Sequence, residues 1–455
     1  MNGYSYDTDD MIFALATPWG TGAIAVIRIS GAGCIATLAT AFSRPQALLS
    51  SGSHTLVHGQ LVDPDSTSPI DEVLISVFKE GRGFTGEESL EISCHGSMAG
   101  VQSIFRVLAN MGMRSAAPGE FTFRAFMHGK MDLTRAEAVM EIVSSQSELA
   151  HSLALERLEG HLFALIHEIK LIVLDVMSLV EVQLDYAEDE IAEDVDFPFA
   201  AVESASRKIQ NLLATYEVGK LYGEGARVVL AGSTNAGKST LFNLLLRQER
   251  SIVSEVHGTT RDFIESKTVL DGIPVRLYDT AGLRDSEDTV EQEGIRRTRR
   301  LIEEADLILL MLDGTEHDAD STSRYGDFIN DSRCITVWNK TDLTEKPAPK
   351  GSFPLSAKRG EGFAALRGEM ISRLRKDASR PAEHDVVIES SRQRQELQRA
   401  ADALERAKAL AEETVPLDIV AVELGEALEA LGTLTGEVAS SDILEHIFSG
   451  FCVGK

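Results

Sequence analysis

The chain has 455 residues, of which 43% are hydrophobic and 25% charged, and it carries a formal net charge of −27. Such a composition is ordinary for soluble globular proteins, and the length suffices for roughly two to four domains. No apolar stretch predicts a membrane span, no basic leader predicts a signal peptide, and the four cysteines form no CxxC pair. Because the chain is strongly acidic, a polyanion partner would need a local basic patch. We therefore expect a cytoplasmic protein that contacts no membrane.

The first part of the chain, residues 1–125, predicts a compact α+β domain. Runs rich in β-branched residues predict strands at 23–29 and 73–78, and the run 101–111 predicts a helix.

The next segment, 126–218, predicts long amphipathic helices because apolar residues recur every three or four positions from Leu153 to Val176. Alternating strands and helices then predict an α/β module over 219–378, and helical periodicity returns over 379–455. The simplest organisation is an α/β module inserted into one helical domain, which is tolerated when the module's termini lie close together. The predicted fold class is thus a multidomain α/β and all-α protein.

Five motifs of a guanine-nucleotide site follow one another through the α/β module. They are GSTNAGKS at 232–239, GTTRD at 258–262, DTAG at 279–282, NKTD at 339–342 and SAK at 356–358. One such match would be weak, but five in this order predict a Ras-like P-loop domain that binds GTP.

Each motif predicts a separate contact with the nucleotide. The glycine-rich loop directs backbone N–H groups at phosphates, and Lys238 reaches the β- and γ-phosphates. Ser239 and Thr260 are the expected hydroxyl ligands of Mg²⁺, with Asp279 holding the metal through water and Gly282 donating an N–H to the γ-phosphate.

The base is selected by Asp342, whose carboxylate can accept two N–H bonds from the guanine edge and finds no such donors on adenine. The predicted GTP-binding residues are Asn235, Ala236, Gly237, Lys238, Ser239, Thr240, Ser254, Thr259, Thr260, Asp279, Thr280, Ala281, Gly282, Asn339, Lys340, Asp342, Ser356, Ala357 and Lys358.

Hydrolysis requires a group that orients water, and Leu283 occupies the position where Ras-type GTPases often carry glutamine. Asn235 and the loop 254–260 can hold a monovalent cation that neutralises charge developing in the transition state. Glu291 is the candidate water-orienting carboxylate, although its residue type alone is more typical of a solvated loop residue.

Motifs outside the α/β module carry a resemblance that spans nearly the whole chain. They are ATP at 16–18, VIRISG at 26–31, FTGE at 84–87, CHG at 94–96, PGEFT at 118–122, GKMDL at 129–133, AEAV at 136–139 and FCVGK at 451–455. With them the chain resembles the family of tRNA modification GTPases called MnmE or TrmE.

The resemblance implies an N-terminal domain similar to folate-dependent one-carbon enzymes, a homodimer formed through it, and a potassium-activated inserted G domain. It also implies a flavoprotein partner, MnmG or GidA. The two proteins together would add an aminomethyl or carboxymethylaminomethyl group to carbon 5 of the tRNA wobble uridine. The one-carbon unit would come from a methylene- or formyl-tetrahydrofolate.

Further site residues are implied by the same resemblance. Arg28, Glu87, Lys130 and Lys455 match folate-binding positions, and Cys452 and Glu291 match residues with catalytic roles. Asn235, Ser254, Val256 (through its backbone carbonyl) and Thr259 match the potassium site, whose loop sequence 255–257 varies within the family.

Two other functions share parts of this pattern. A ribosome-assembly GTPase would share the five nucleotide motifs but normally adds a basic RNA-binding domain, which this acidic chain lacks. A stand-alone folate enzyme with a regulatory G domain would share the N-terminal motifs.

Overall fold

The computed structural model describes residues 9–185, 197–233, 235–248, 264–279, 300–315, 330–376, 380–382, 384–413, 415–438 and 440–454. Within these residues the strands are β1 (Ile12–Leu15), β2 (Ile24–Ser30), β3 (Thr55–Val62), β4 (Pro69–Phe78), β5 (Ser89–His95), β6 (Arg114–Ser115), β7 (Ala226–Gly232), β8 (Ile264–Leu270), β9 (Ile273–Asp279), β10 (Leu307–Asp313), β11 (Cys334–Asn339) and β12 (Phe353–Pro354).

The described helices are α1 (Cys34–Ala39), α2 (Pro45–Leu49), α3 (Met98–Asn110), α4 (Glu120–Met127), α5 (Leu133–Ser144), α6 (Glu148–Glu159), α7 (His161–Asp185), α8 (Phe199–Ala214), α9 (Tyr216–Gly223), α10 (Lys238–Gln248), α11 (Phe363–Arg375), α12 (Ser391–Glu412), α13 (Leu417–Thr435) and α14 (Ser441–Ser449). None of them is long and apolar enough to cross a membrane.

The chain divides into two compact units. The first contains Met1–Met140, Arg157–Phe197 and Arg406–Lys455, and the second contains Glu141–Glu156 and Pro198–Glu405. The four predicted segments, 1–125, 126–218, 219–378 and 379–455, stay predictions.

The first unit is built on a six-stranded mixed sheet with the order β3-β4-β5-β2-β1-β6. Alternate residues of β2, β4 and β5 are buried, as expected for a sheet with one face against a core, and α1 and α3 pack against that face. The structure confirms the predicted strands at 23–29 and 73–78 and the predicted helix at 101–111, with ends that differ by at most four residues.

Two long helices of the first unit, α7 and α13, pack along each other, and Lys170 of α7 forms an ion pair with Glu437 just beyond α13. The amphipathic pattern predicted long helices here, and the structure places a break at Gly160, whose φ of +94° disfavours any residue with a side chain. Helix α6 therefore ends just before that glycine, and helix α7 begins just after it.

The second unit contains a six-stranded sheet with the order β12-β11-β10-β7-β9-β8. Its strands are parallel except β8, which forms an antiparallel hairpin with β9. The strands β7 and β10 are apolar and almost wholly buried, as is typical of a parallel sheet covered on both faces. This arrangement confirms the Ras-like α/β module and brings the carboxyl ends of β7, β9, β10 and β11 to one edge of the sheet.

Candidate functional site

The P-loop joins the end of β7 to the start of α10, where the backbone passes close to two neighbouring strands. At Gly232 φ is +135°, and a Cβ there would lie 2.3 Å from the backbone oxygen of Met311. At Gly237 φ is +97°, and a Cβ would lie 2.2 Å from Nδ2 of Asn339. Both positions therefore require glycine for steric and conformational reasons.

The lysine of the P-loop, Lys238, is folded against the loop itself. Nζ of Lys238 donates hydrogen bonds of 2.8 Å to the backbone oxygens of Gly232 and Ser233. Burial lowers the pKa of Lys238, and the nearby carboxylate of Asp279 opposes that shift. The ammonium group thus lies where the loop curls, at the N-terminus of α10, which is an anion-binding geometry.

A hydroxyl and a carboxylate meet beside the lysine. Oγ of Ser239 donates to Oδ2 of Asp279 at 2.9 Å, and the side chain of Asp279 is buried whereas Ser239 is exposed. Hydroxyl, carboxylate and phosphate oxygens are the ligands that Mg²⁺ prefers. These two residues fit a magnesium site at the phosphate end of the nucleotide.

The base-binding loops are tied together by Asn339. Its Nδ2 donates to the backbone oxygen of Ala236 at 2.7 Å, and its Oδ1 accepts from the backbone N–H of Ala357 at 3.0 Å. One buried amide therefore connects the P-loop, the NKTD loop and the SAK loop, which fixes their spacing.

The carboxylate of Asp342 is fixed by Ser356, whose hydroxyl donates to Oδ1 at 2.8 Å. That hydrogen bond is the main reason why the pKa of Asp342 is lowered, with Arg359 and Lys358 adding positive charge nearby. The Nζ of Lys340 is 2.5 Å from Oδ2 of Asp313 at the end of β10. An ionised, oriented carboxylate at this position is suited to the two N–H groups of a guanine edge.

Several predicted residues lie outside the described part of the chain: Ser254, Val256, Thr259, Thr260, Thr280, Ala281, Gly282, Glu291 and Lys455. Asn235 is described, and it has a left-handed backbone with φ +74° in the P-loop. The remainder of the predicted nucleotide-binding set is assembled at the carboxyl edge of the second unit's sheet.

In the first unit, Arg28 lies on β2 directly opposite Glu91 on β5. Its Nε and Nη2 donate to Oε1 of Glu91 at 3.0 and 2.8 Å, and its Nη1 donates to the backbone oxygen of Gly454 at 3.2 Å. The rings of Phe84 and Phe121 have centroids 5.4 and 5.7 Å from the guanidinium carbon, within cation–π range.

A cavity of about 100 Å³ adjoins Arg28 and is lined by Phe78, Phe84 and Thr85 among others. A guanidinium has five N–H donors, so the three contacts above leave capacity for a ligand carboxylate. Aromatic walls with a cationic group fit one end of a flat, anionic ligand such as a folate.

Two more of the four predicted folate residues, Glu87 and Lys130, meet the loop between β4 and β5. Glu87 lies in that loop and accepts a hydrogen bond of 2.6 Å from Oγ of Ser30. Ser30 and Arg28 share a sheet face because they are two residues apart on β2. Nζ of Lys130 donates to the backbone oxygen of Gly81 at 3.0 Å in the same loop. The structure therefore brings Arg28, Glu87 and Lys130 to one region of the first unit.

The C-terminal segment, residues 440–454, ends at this region. Phe448 and Phe451 are buried against Phe123, and the backbone N–H of Gly119 is hydrogen-bonded to the oxygen of Cys452 at 3.4 Å. The thiol of Cys452 is exposed, whereas Cys34, Cys94 and Cys334 are buried. Burial raises the pKa of the Cys94 thiol to about 11 and raises that of Cys34 further, so those thiols stay protonated.

Comparisons with known proteins cover the whole chain. A family model described as the MnmE helical domain matches residues 133–452, and one described as the GTP-binding protein TrmE N-terminus matches residues 11–130. The chain is 41% identical over 467 residues to the tRNA modification GTPase MnmE of Treponema denticola, with 99% of each chain covered. It is 37% identical over 462 residues to that of Borrelia recurrentis, again with 99% of each covered.

The chain belongs to the MnmE family. Among solved structures, an Era variant from Aquifex aeolicus bound to GDP·AlF₄⁻ is 26% identical and covers 39% of this chain and 66% of its own, with a TM-score of 0.28. At that score the likeness carries no argument. The chain belongs to a family of tRNA modification GTPases, and this membership decides against the ribosome-assembly alternative.

Three residues of these sites were not predicted from the sequence of this MnmE-family chain. We did not predict Glu91 as the partner of Arg28, although the alternation along β5 places Glu91 on the sheet face that carries Arg28. The buried Arg124 and Glu120 were missed too, and their signal was a pair of opposite charges four residues apart inside the otherwise mostly apolar helix α4.

Proposed function

We propose that this member of the MnmE family hydrolyses GTP with Mg²⁺ and K⁺ and uses the reaction in modifying the tRNA wobble uridine. The single observation that carries the GTPase part is the joint geometry of Lys238, the Ser239–Asp279 pair and the Asn339-linked base loops. That geometry supports phosphate, metal and guanine binding at one sheet edge.

The chain's own residues would divide the work of hydrolysis. Lys238 would bind the β- and γ-phosphates, Asp342 would hold the base, and Glu291 would orient the attacking water in place of a Ras-type glutamine. Bound Mg²⁺ supplies Lewis-acid neutralisation of the phosphate oxygens and would be held by Ser239 and Thr260. For K⁺, we assign Asn235, Ser254, Val256 and Thr259 as the ligands.

The first unit would handle the one-carbon unit. Arg28, Lys130 and Lys455 would bind the acidic parts of a methylene- or formyl-tetrahydrofolate, and Glu87 would accept from the donor edge of its pterin ring. Cys452 would take part in the modification. A homodimer, a flavoprotein partner of the MnmG (GidA) kind and a cytoplasmic location complete the proposal.

The modification is tested by nucleoside mass analysis of bulk tRNA from a strain that lacks this protein. We expect a carboxymethylaminomethyl or aminomethyl uridine to disappear, to return with the wild-type chain, and to stay absent with Cys452→Ser. An unchanged nucleoside profile in the deletion strain would remove tRNA modification from the proposal and leave a GTPase with another role.

The cation is tested by comparing GTP turnover in KCl and in NaCl at equal ionic strength. Neutralising a developing charge commonly changes turnover by about 100-fold or more, so we expect turnover to fall to roughly that extent in NaCl. Asn235→Ala should remove the difference. Equal turnover of the wild type in both salts would rule out a role for K⁺ while leaving the GTP site itself intact.

A further inference from the structure

A fully buried arginine, Arg124, lies behind Glu87 in the first unit. Its Nη2 donates to Oδ1 of Asp10 at 2.6 Å and to Oε1 of Glu120 at 3.0 Å. Its Nη1 donates to the backbone oxygen of Asp10 at 2.8 Å and lies 3.3 Å from both carboxylate oxygens of Glu87. One planar guanidinium therefore joins three carboxylates.

A second arginine, Arg114, binds two of the same carboxylates. It makes hydrogen bonds of 2.7 and 3.0 Å to the two oxygens of Glu120, and others of 2.7 and 3.1 Å to the two oxygens of Asp10. Asp10 and Glu120 are thus each bound by both arginines. Glu87 differs, because it contacts only Arg124 of the two in these ion pairs.

The side chain of Glu87 is also held from the sheet. Oγ of Ser30 donates to its Oε2 at 2.6 Å and lies 2.7 Å from the hydroxyl of Thr85, which lines the cavity beside Arg28. An ionised carboxylate has about four acceptor sites, and these contacts leave room for further donors. Glu87 is the carboxylate of the group that connects the buried Arg124 to the cavity region.

The buried ion pair of Arg124 and Glu120 is weak support for a purely stabilising role, since replacing such a pair by apolar residues of similar volume often leaves a protein as stable. Such groups are more useful where one member must keep a fixed orientation and charge. We infer that Arg124 and Ser30 are positioning residues for Glu87 and hold its carboxylate in one orientation for the paired N–H groups of a pterin-like ring. The inference rests on the folate site of the proposed function.

The test is a double-mutant cycle on the binding of 5-formyltetrahydrofolate, measured by titration calorimetry on the full chain. Glu87→Gln should weaken binding by about tenfold or more, and Ser30→Ala by roughly threefold to tenfold. If Ser30 acts through Glu87, the double variant should bind no more weakly than Glu87→Gln alone. A general structural role of Ser30 would make the two effects add.

A second arm uses Arg124→Lys, which keeps the buried positive charge but loses the fork that reaches three carboxylates. We expect binding to weaken by roughly tenfold and, in the background of Glu87→Gln, to change by less than about twofold. Thr122→Val is the matched control, because this buried residue of α4 has a side-chain hydroxyl without a hydrogen-bond partner among the described residues. Its affinity should equal that of the wild type.

The outcomes separate the inference from the site beneath it. If Glu87→Gln binds like the wild type, Glu87 does not face the ligand, and both its folate role and the inference are wrong. If Glu87→Gln weakens binding, two results for Ser30→Ala overturn the inference and leave the folate site standing. One is that Ser30→Ala has no effect on binding, and the other is that its effect adds fully to that of Glu87→Gln. Should Arg124→Lys fail to fold, the Ser30 cycle still decides.

Discussion

At the scale of single residues, the choice of base rests on the charge of one side chain. The Ser356 hydroxyl donates to the carboxylate of Asp342 and lowers its pKa, so the carboxylate is fully ionised at neutral pH. An ionised carboxylate only accepts hydrogen bonds, whereas an amide of the same shape both accepts and donates. The two side chains should therefore favour different purine edges.

We expect Asp342→Asn to weaken GTP binding by roughly 10- to 100-fold, since a hydrogen bond to a charged group contributes about 1.5–3 kcal/mol. Binding of xanthosine triphosphate should improve, because its C2 carbonyl can accept from the new amide. Competition titrations with both nucleotides measure the change. An equal loss for both would mean that the variant has lost the pocket and not its selectivity.

The lowered pKa of Asp342 has a pH consequence. A depressed pKa keeps the carboxylate charged as the pH falls, so binding that needs this charge is lost only below the usual range of an aspartate. Ser356→Ala should raise that pKa and move the acid loss of GTP binding to higher pH. Binding curves between about pH 2.5 and 5.5 test the shift, and coincident curves for variant and wild type would contradict it.

At the scale of elements, the C-terminal segment is held by a close backbone approach at the start of α4. Gly119 has φ +69°, and a Cβ there would lie 2.4 Å from the backbone oxygen of Phe448. Phe448 is fully buried, and a side chain of that kind stabilises by about 2–3 kcal/mol when it leaves water. The position of α14 and Cys452 therefore depends on a glycine far away in the sequence.

Gly119→Ala should displace this segment and destabilise the first unit by about 1–3 kcal/mol, through backbone strain and the clash together. Hydrogen exchange of residues 440–454 should become faster, and thermal unfolding should begin earlier. Gly112→Ala is the matched control, because its φ is +84° but a Cβ there would meet nothing within 4 Å. If both variants exchange alike, strain alone explains the effect and the approach to Phe448 does not matter.

The elements themselves were largely predictable from sequence. The strand–helix alternation predicted over 219–378 is present with β7, β9, β10 and β11, and three nucleotide motifs begin at the carboxyl ends of β7, β9 and β11. In a parallel sheet those ends meet at one edge. The spacing of apolar residues and the order of the motifs predict these strands and the position of the site, so no knowledge of contacts between distant residues is needed.

What sequence could not supply is the pairing of groups far apart in the chain. Arg28 meets Glu91 and Gly454, and Arg124 meets Asp10, at separations of 63, 426 and 114 positions. No local pattern encodes such partners, since they are set by strand register and by where the last segment docks. The folate residues were therefore proposed from resemblance, and their partners became visible only in the structure.

At the scale of the whole molecule, the two compact units carry different parts of the proposed function. The P-loop, Asp279 and the base loops belong to the second unit, whereas Arg28, Glu87, Lys130 and Cys452 belong to the first. A change confined to the first unit should then remove tRNA modification and leave GTP hydrolysis intact. A change that stops GTP hydrolysis in the second unit distinguishes a GTPase that drives modification from a folate enzyme that merely carries a G domain.

Lys238→Ala removes a buried ammonium group from the phosphate site and should lower GTP turnover by about 100-fold or more. Because the proposed modification depends on turnover, the modified uridine should be lost as well. Cys452→Ser removes an exposed thiol in the other unit and should leave GTP turnover unchanged while the modified uridine is lost. Both variants are compared by phosphate release and by nucleoside mass analysis. Normal modification by Lys238→Ala would show that the folate chemistry proceeds without GTP hydrolysis, as in a folate enzyme whose G domain only regulates it.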